Sequence, residues 1–513
     1  MLMWNQVYDP FNNIWLSALV AAIPILLFIV LLTVLKIKGH IAGLITAIVA
    51  CLIAIFVYGM PASKAVWSGL YGVLAGLYPV ASIVVFAIFL YKLTVKTGKF
   101  DIIKESITSM SPDKRIQVII VAYCFGCFLE GAAGFGAPVA ITAVILVGLG
   151  FQPIKAAGLC LVANIAGGSY GAMGIPVVTP SVLTGLDPLD VAVRTTYIIP
   201  FISFLLPFLL VFLVDGMKGI RETFKTVFVA ALTFSVVQWL TLRFVGAELV
   251  DILAASITLI VLYIYLKPKQ EHSARQLVNA WSPFIFLTIL VIIFSKVTFE
   301  NLILSFPIPT LNGMINKVPP VVGDVVPFGA VFNVDIFSST TSAIIYACII
   351  TIIVFRIKGS VISSAFWETI RELIIPIATI CAVLAFAYIC NYSGMSSTLG
   401  LAFASTGSLF PLFSPILGWI GVFLTGSVVN SGSLFAPLQT ITANQIGISQ
   451  AGMVASNIIG GDMAKMLSPQ SIAVAAAAVG LTGKESEILK FTIKISLIFL
   501  VIVGIVNLLI YSF

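Results

Sequence analysis

Apolar runs about 20 residues long, the length that crosses the hydrocarbon core of a bilayer, succeed one another along this chain from near residue 14 to near residue 511. Inside a membrane every backbone N–H and C=O must find its partner within the protein, so runs of this length read as helices. The expectation is an all-α polytopic membrane protein. Composition agrees: hydrophobic residues are 60% and charged residues 9% of the 513, mean hydropathy is +1.15, and no stretch is polar enough for a separate soluble domain. Met1–Pro10 has no basic region and no small-residue cleavage site, so the first apolar run is expected to stay as a span.

The runs predict twelve transmembrane helices, at about 14–35, 41–58, 72–95, 157–186, 190–214, 223–242, 249–266, 281–299, 337–355, 373–391, 449–481 and 489–511. Two more apolar stretches, about 115–150 and 411–444, are interrupted midway by glycines and are expected as re-entrant hairpins. The polar stretches at about 96–115 and 300–325 are expected as loops or surface helices.

The interruptions come in matched pairs. Phe128-Leu129-Glu130-Gly131 through Pro138 stands against Phe423-Leu424-Thr425-Gly426 through Ser433. About 30 residues later, Asn164-Ile165-Ala166-Gly167-Gly168 stands against Asn457-Ile458-Ile459-Gly460-Gly461. The offset is 293 for Asn164/Asn457, Gly167/Gly460 and Pro176/Pro469, and 295 for Leu129/Leu424 and Gly131/Gly426. Paired glycine-rich breaks in two membrane halves point to a transporter's binding site. The expected organisation is a first repeat over about 14–214 (hairpin about 115–150, broken helix about 157–186) and a second over about 281–511 (hairpin about 411–444, broken helix about 449–481). A linking pair of helices over about 215–280 joins them.

Charge sets the orientation. With the N-terminus outside, 21 of the 27 Lys and Arg residues fall on the cytoplasmic side. Five fall outside (Lys64, Arg194, Arg243, Lys296 and Lys317), and Lys465 lies within a span. Cations gather in cytoplasmic loops, so both termini are expected outside, and the two repeats then have inverted topology. This distribution, rather than nucleic-acid binding, accounts for the net charge of +7. The seven cysteines sit in apolar segments and read as small packing residues. With His40 and His272 alone in polar loops, neither a metal site nor a cofactor is expected.

The breaks carry the chemistry. Gly131, Gly134 and Gly136 free backbone N–H groups near a half-helix N-terminus, where the macrodipole favours an anion such as a carboxylate. A glycine-rich packing turn is the alternative; Glu130 speaks against it, because an acid near mid-membrane costs roughly 2.5–3.5 kcal/mol and is usually functional. Beside Gly426, also expected at the substrate, Thr425, Ser427, Asn430, Ser431 and Ser433 offer hydroxyl and amide groups, although each hydroxyl can instead bond back to its own helix. The broken spans add Asn164, Ser169 and Tyr170, then Asn457, Gly460, Gly461, Asp462, Lys465, Ser468 and Gln470. The partner of Lys465 is either Asp462, three residues earlier on the same helix face, or the substrate. Glu130 is the expected proton-coupling acid and Asp462 the second candidate, while Asp335 reads as a loop or cap acid.

At these residues the chain resembles the lactate permease family, which includes glycolate permeases. The resemblance covers nearly the whole chain and is most specific in three strings. They are Glu130 to Pro138, Lys465-Met466-Leu467-Ser468-Pro469-Gln470 to Gly480, and Gly483-Lys484-Glu485-Ser486 to Lys494. It implies a bacterial inner-membrane symporter that moves L-lactate or a related small 2-hydroxy monocarboxylate with protons. The chain departs from the family pattern at Val428-Val429-Asn430-Ser431 and at Gly167-Gly168-Ser169-Tyr170, both where substrate would bind. The alternatives are the same architecture carrying another organic acid or coupled to Na⁺, and, from a different class, a passive anion channel. No Walker motif marks an ATP-driven pump, and no paired nucleophile and base marks an enzyme.

Overall fold

The computed structural model describes residues 3–134, 136–268, 272–294, 303–337, 339–481 and 484–511. Lys296, Gly483 and the last part of the expected span 281–299 lie outside them. The chain is a mostly helical, polytopic membrane protein. Among the described residues nine helices are long and apolar enough to cross a membrane, or ten if Pro153–Ala166 and Gly171–Thr184, bent by 50° at their break, make one span.

The count differs from twelve for local reasons: two of the nine, Lys114–Ala132 and Gly407–Thr425, are first arms of the expected hairpins, and the two halves of the expected span 449–481 are too short to count. The expected spans 249–266 and 337–355 are helices of 17 and 15 residues, Val250–Leu266 and Thr340–Val354. The expected pair 190–214 and 223–242 counts once, within Ile199–Phe244, but it is two helices that meet at a kink where Asp215 and Gly216 leave the helical backbone, Gly216 with φ 62°. Only glycine adopts such a backbone freely. Conversely, the expected spans 72–95 and 373–391 begin earlier, in Ala62–Lys96 and Gly359–Ser393, each 35 residues long. The polar stretch near 300–325 is also not helical. Ile303–Pro307 pairs antiparallel with Val331–Asp335, and Ile315–Lys317 sits between Trp4–Asn5 and Val326–Pro327. Prolines at 307, 309, 319, 320 and 327 deny a helix its N–H donors there, whereas short strands tolerate them at their ends.

The order of elements repeats in the two halves. Each has a long helix interrupted by proline, at Pro79 in Ala62–Lys96 and at Pro376 in Gly359–Ser393. A helix–turn–helix follows: Lys114–Ala132 with Ala137–Gly148, and Phe410–Thr425 with Val428–Gln445. A broken helix comes next, Pro153–Ala166 with Gly171–Thr184 in one half and Gln450–Lys465 with Pro469–Ala478 in the other.

Lipid tails are as apolar as leucine, so helices in a bilayer associate by close packing, and small residues let their backbones meet. Phe410–Thr425 and Gln450–Lys465 cross in this way. A Cβ on Gly460 would fall on the Pro415 carbonyl oxygen, and one on Gly418 on the carbonyl of Asn457. Gly460→Val must therefore push two backbones apart, with an expected loss of about 1–3 kcal/mol or more. The detergent-solubilised variant should melt several degrees lower. Gly359→Val, where nothing lies within 4 Å of the added Cβ, should leave the melting temperature unchanged.

Candidate functional site

All four interruptions reach one cavity of about 440 Å³. From the first half, Glu130, Gly134, Gly136 and Gly168 line it. From the second come Thr425, Gly426, Ser427 and Asn430 at the turn, and Lys465 and Gln470 at the break. Left-handed glycines make the turns: Gly134 and Gly136 have φ 59° and 85°, and Gly426 has φ 72°.

Helix starts dominate the wall. Gly136 precedes Ala137–Gly148, Ser427 caps Val428–Gln445, and Gln470 lies in the first turn of Pro469–Ala478. Each of these residues lines the cavity, as does Gly171, which leads into a left-handed turn over Ala172, Met173 and Gly174 (φ 47°, 62° and 74°) rather than into a helical first turn. The first N–H groups of a helix lack intrahelical partners and carry a partial positive charge, so three such ends around one space favour an anion.

The charged groups complete the site. Lys465 donates to Glu130 Oε1 at 2.5 Å, and Asn164 Nδ2 donates to Glu130 Oε2 at 2.9 Å. The Lys465 side chain keeps 15% exposure against 3% for Glu130, so the lysine is the more open side chain of the two. The Asp462 partnership weighed for Lys465 gives way to this pair. Asp462 instead accepts from Ser169 Oγ at 2.7 Å, and its Oδ1 has no hydrogen-bond partner among the described residues.

Asp251 is a third acid that the sequence reading passed over. It is buried, and neither carboxyl oxygen has a hydrogen-bond partner among the described residues. The sign that marked Glu130, an acid within an apolar run, is present in Leu249-Val250-Asp251-Ile252. It drew no attention because it lies in the expected linking pair, away from the repeated breaks. Three glycines make room for the three acids. A Cβ on Gly167 would come 3.0 Å from Asp251 Oδ2, one on Gly168 would strike the Asp462 carboxyl, and one on Gly171 would strike that of Glu130.

Other expected site residues stand behind the wall. Tyr170 shares a 2.7 Å hydrogen bond with Thr195. Ser431 donates to the Gly418 carbonyl at 3.0 Å and to Asn457 Oδ1 at 3.5 Å. Gly131 packs on Asp251 and Ile252, and Gly460 and Gly461 pack on Pro415 and Val422. Ser468 caps the helix from Pro469 by accepting the Ser471 N–H at 3.1 Å. On the wall itself, Thr425 Oγ1 donates to the Gly421 carbonyl at 2.7 Å, the back-bonding alternative. The side-chain amides of Asn430 and Gln470, by contrast, have no hydrogen bond among the described residues.

The sequence profile described as L-lactate permease matches residues 17–513. The chain is 46% identical to the L-lactate permease of Salmonella typhimurium (strain LT2) over 99% of its own length and 98% of that protein. It is 45% identical to a glycolate permease of Escherichia coli (strain K12), again over 99% and 98%. Among solved structures, the Alcanivorax borkumensis YdaH transporter aligns with TM-score 0.47 at 15% identity, covering 87% of this chain and 88% of that one.

Breaking a buried ion pair from one side costs about 3–5 kcal/mol, because it strands the other charge. Glu130→Gln and Lys465→Gln should each lower the melting temperature in detergent. The double variant should lose clearly less than the sum of the two, which a double-mutant cycle on unfolding measures. Additive losses would mean the two side chains do not pair in the folded protein.

Proposed function

Because this chain belongs to the L-lactate permease family, we propose that it takes up L-lactate or a related small 2-hydroxy monocarboxylate with protons across the bacterial inner membrane, by alternating access. Family membership makes it a multi-pass membrane transporter of lactate or a related hydroxy acid, not an enzyme. The observation that carries the finer reading is the Lys465–Glu130 pair on the wall of a cavity that three helix N-termini face.

That pair supplies a coupling logic. With Glu130 ionised it neutralises Lys465, and an arriving carboxylate finds no free cation. With a proton on Glu130, Lys465 is released to the substrate carboxylate as a charge-assisted partner. Proton and anion then favour each other's binding, and by linkage the effect is reciprocal. The amides of Asn430 and Gln470 stand ready for the 2-hydroxyl or the second carboxylate oxygen. Gly134, Gly136, Gly426 and Ser427 let backbone approach the ligand. Asp462, held by Ser169, is the second candidate for the proton.

Alternating access draws support from the matched halves. Ser169 and Asp462, equivalent under the 293-residue offset, hydrogen-bond to each other. Symmetry-related residues can touch only at the axis that relates them, which is what two inverted repeats, about 14–214 and 281–511, require. The cavity reaches exposed Lys38, in the loop after the first span. With both termini outside this loop is cytoplasmic, and the conformation is inward-open.

Reconstituted into liposomes with an inside-alkaline pH gradient, the chain is expected to accumulate L-lactate saturably and to lose that accumulation with a protonophore. Lys465→Gln should reduce uptake by roughly two orders of magnitude. Glu130→Gln should keep exchange of lactate across the membrane but lose pH-driven accumulation. Accumulation by Glu130→Gln at the normal pH dependence would remove Glu130 from coupling. Non-saturable flux would favour a channel, and accumulation driven by a Na⁺ gradient alone would replace the proton.

A further inference from the structure

A second cavity, of about 420 Å³, lies further along the helices that bound the first. Three of them carry both. Gly171–Thr184 lines the inner cavity up to Pro176 and the second from Val182. Val428–Gln445 lines the inner one up to Asn430 and the second from Pro437, and Gly359–Ser393 passes between them from Ile380 to Tyr388. At 1.5 Å per residue these gaps are about 9–12 Å, so a barrier of only two helical turns separates the spaces. Its contact is Pro180 against Gly432, where an added Cβ would come 3.1 Å from the proline ring.

The wall beyond this barrier is built from the small sheet. Gln6 Nε2 donates to the carbonyls of Asn391 and Tyr392 at 2.9 Å each, and Tyr392 OH donates to the Gly329 carbonyl at 2.7 Å, which seats the sheet on the end of Gly359–Ser393. Lys317, on its middle strand, lines the cavity with its ammonium 4.0 Å from the centre of the Phe328 ring, itself stacked on Tyr392 at 4.3 Å. Among the described residues no carboxylate pairs with Lys317. A cation over an aromatic face keeps N–H donors directed elsewhere, and the low surrounding polarity strengthens what they bind. Burial also lowers the pKa of this ammonium from the ordinary lysine value.

We propose that this cavity is an outer loading site for a small monocarboxylate anion, with Lys317 as its cation and the Pro180–Gly432 contact as the closed gate beneath it. The proposal rests on the uptake reading above for its direction. The volume is large for an acid of five or six heavy atoms, so the site collects the anion at the gate rather than gripping it. Tyr71, Tyr388 and Phe328 shelter the hydrocarbon end, while Lys317 raises the local anion concentration as a charged cleft does.

Two measurements on the full chain test it. Saturation-transfer NMR with L-lactate on purified Lys465→Gln, which lacks the inner cation, should retain a signal. Adding Lys317→Gln should abolish that signal, and Lys317→Arg in its place should restore it. In an otherwise wild-type chain reconstituted with its outer face outward, Lys317→Gln should raise the KM for uptake about tenfold with the maximal rate nearly unchanged. No signal from Lys465→Gln alone, or an undiminished signal in the double variant, would overturn the proposal. So would a maximal rate that falls with KM unchanged, alike in the Gln and Arg variants, which marks a structural lysine. If the wild-type chain moves no 2-hydroxy acid while the NMR pattern holds, the transport reading fails and the outer site stands.

Discussion

The site depends on one ion pair, Lys465 with Glu130, formed between the two halves of the chain and buried at the point where their helices break. Taking two charges out of water is costly, and their attraction repays the cost only if geometry is good and the remaining lone pairs are met. Asn164 meets the second oxygen of Glu130. Gly168 and Gly171 leave the space that the Lys465 stem and the Glu130 carboxyl occupy. The glycine run after Asn164 is thus explained by what lies opposite it. A side chain at Gly171 would displace Glu130 and strand Lys465, while one at Gly168 would first strike the Asp462 carboxyl.

Room for the pair also comes from the way the helices stop. Unbroken helices through this region would satisfy their own N–H groups and offer a ligand only side chains. By starting afresh after Gly136, Ser427 and Ser468, three helices present their first turns to one space. Unpaired backbone at that depth is tolerable only against protein or a water-filled cavity, so breaks, cavity and ion pair require one another. The close crossing of Phe410–Thr425 and Gln450–Lys465 through Gly418 and Gly460 holds the second-half break against the turn it faces.

Much of this was legible in the sequence because the breaks announce themselves. Glycine and proline inside apolar runs have few explanations, and their repetition at a constant offset tied Glu130, Gly136, Gly426, Asn430 and Lys465 to a shared place. What the sequence could not settle is which side chain meets which. Lys465 and Asp462, three apart on one helix, looked like partners, whereas the ammonium crosses to Glu130 and Asp462 turns to Ser169. Local spacing fixes proximity along a helix, while partner choice is made across the interface. Asn457 and Gly460 share the motif with Asn164 and Gly167, yet pack against Ser431 and Pro415, because repeats that match in sequence need not present the same face to the ligand. The strands of 303–335 escaped notice since they are only two to five residues long, and Ile315–Lys317 finds one of its partners in Trp4–Asn5 at the other end of the chain.

For the proton-coupled uptake proposed above, electrostatics gives the ion pair a further consequence. Moving net charge through a low-dielectric barrier is expensive, and a conformational change that carries a site from one side to the other feels that cost. Empty, with Glu130 ionised and Lys465 protonated, the pair is neutral. Loaded with a proton and a monocarboxylate, it is neutral again, the substrate having replaced Glu130 as the counter-ion. A proton alone leaves one positive charge, and the anion alone leaves one negative charge. The two states that can cross cheaply are therefore the empty and the fully loaded ones, which is the condition for symport without leak.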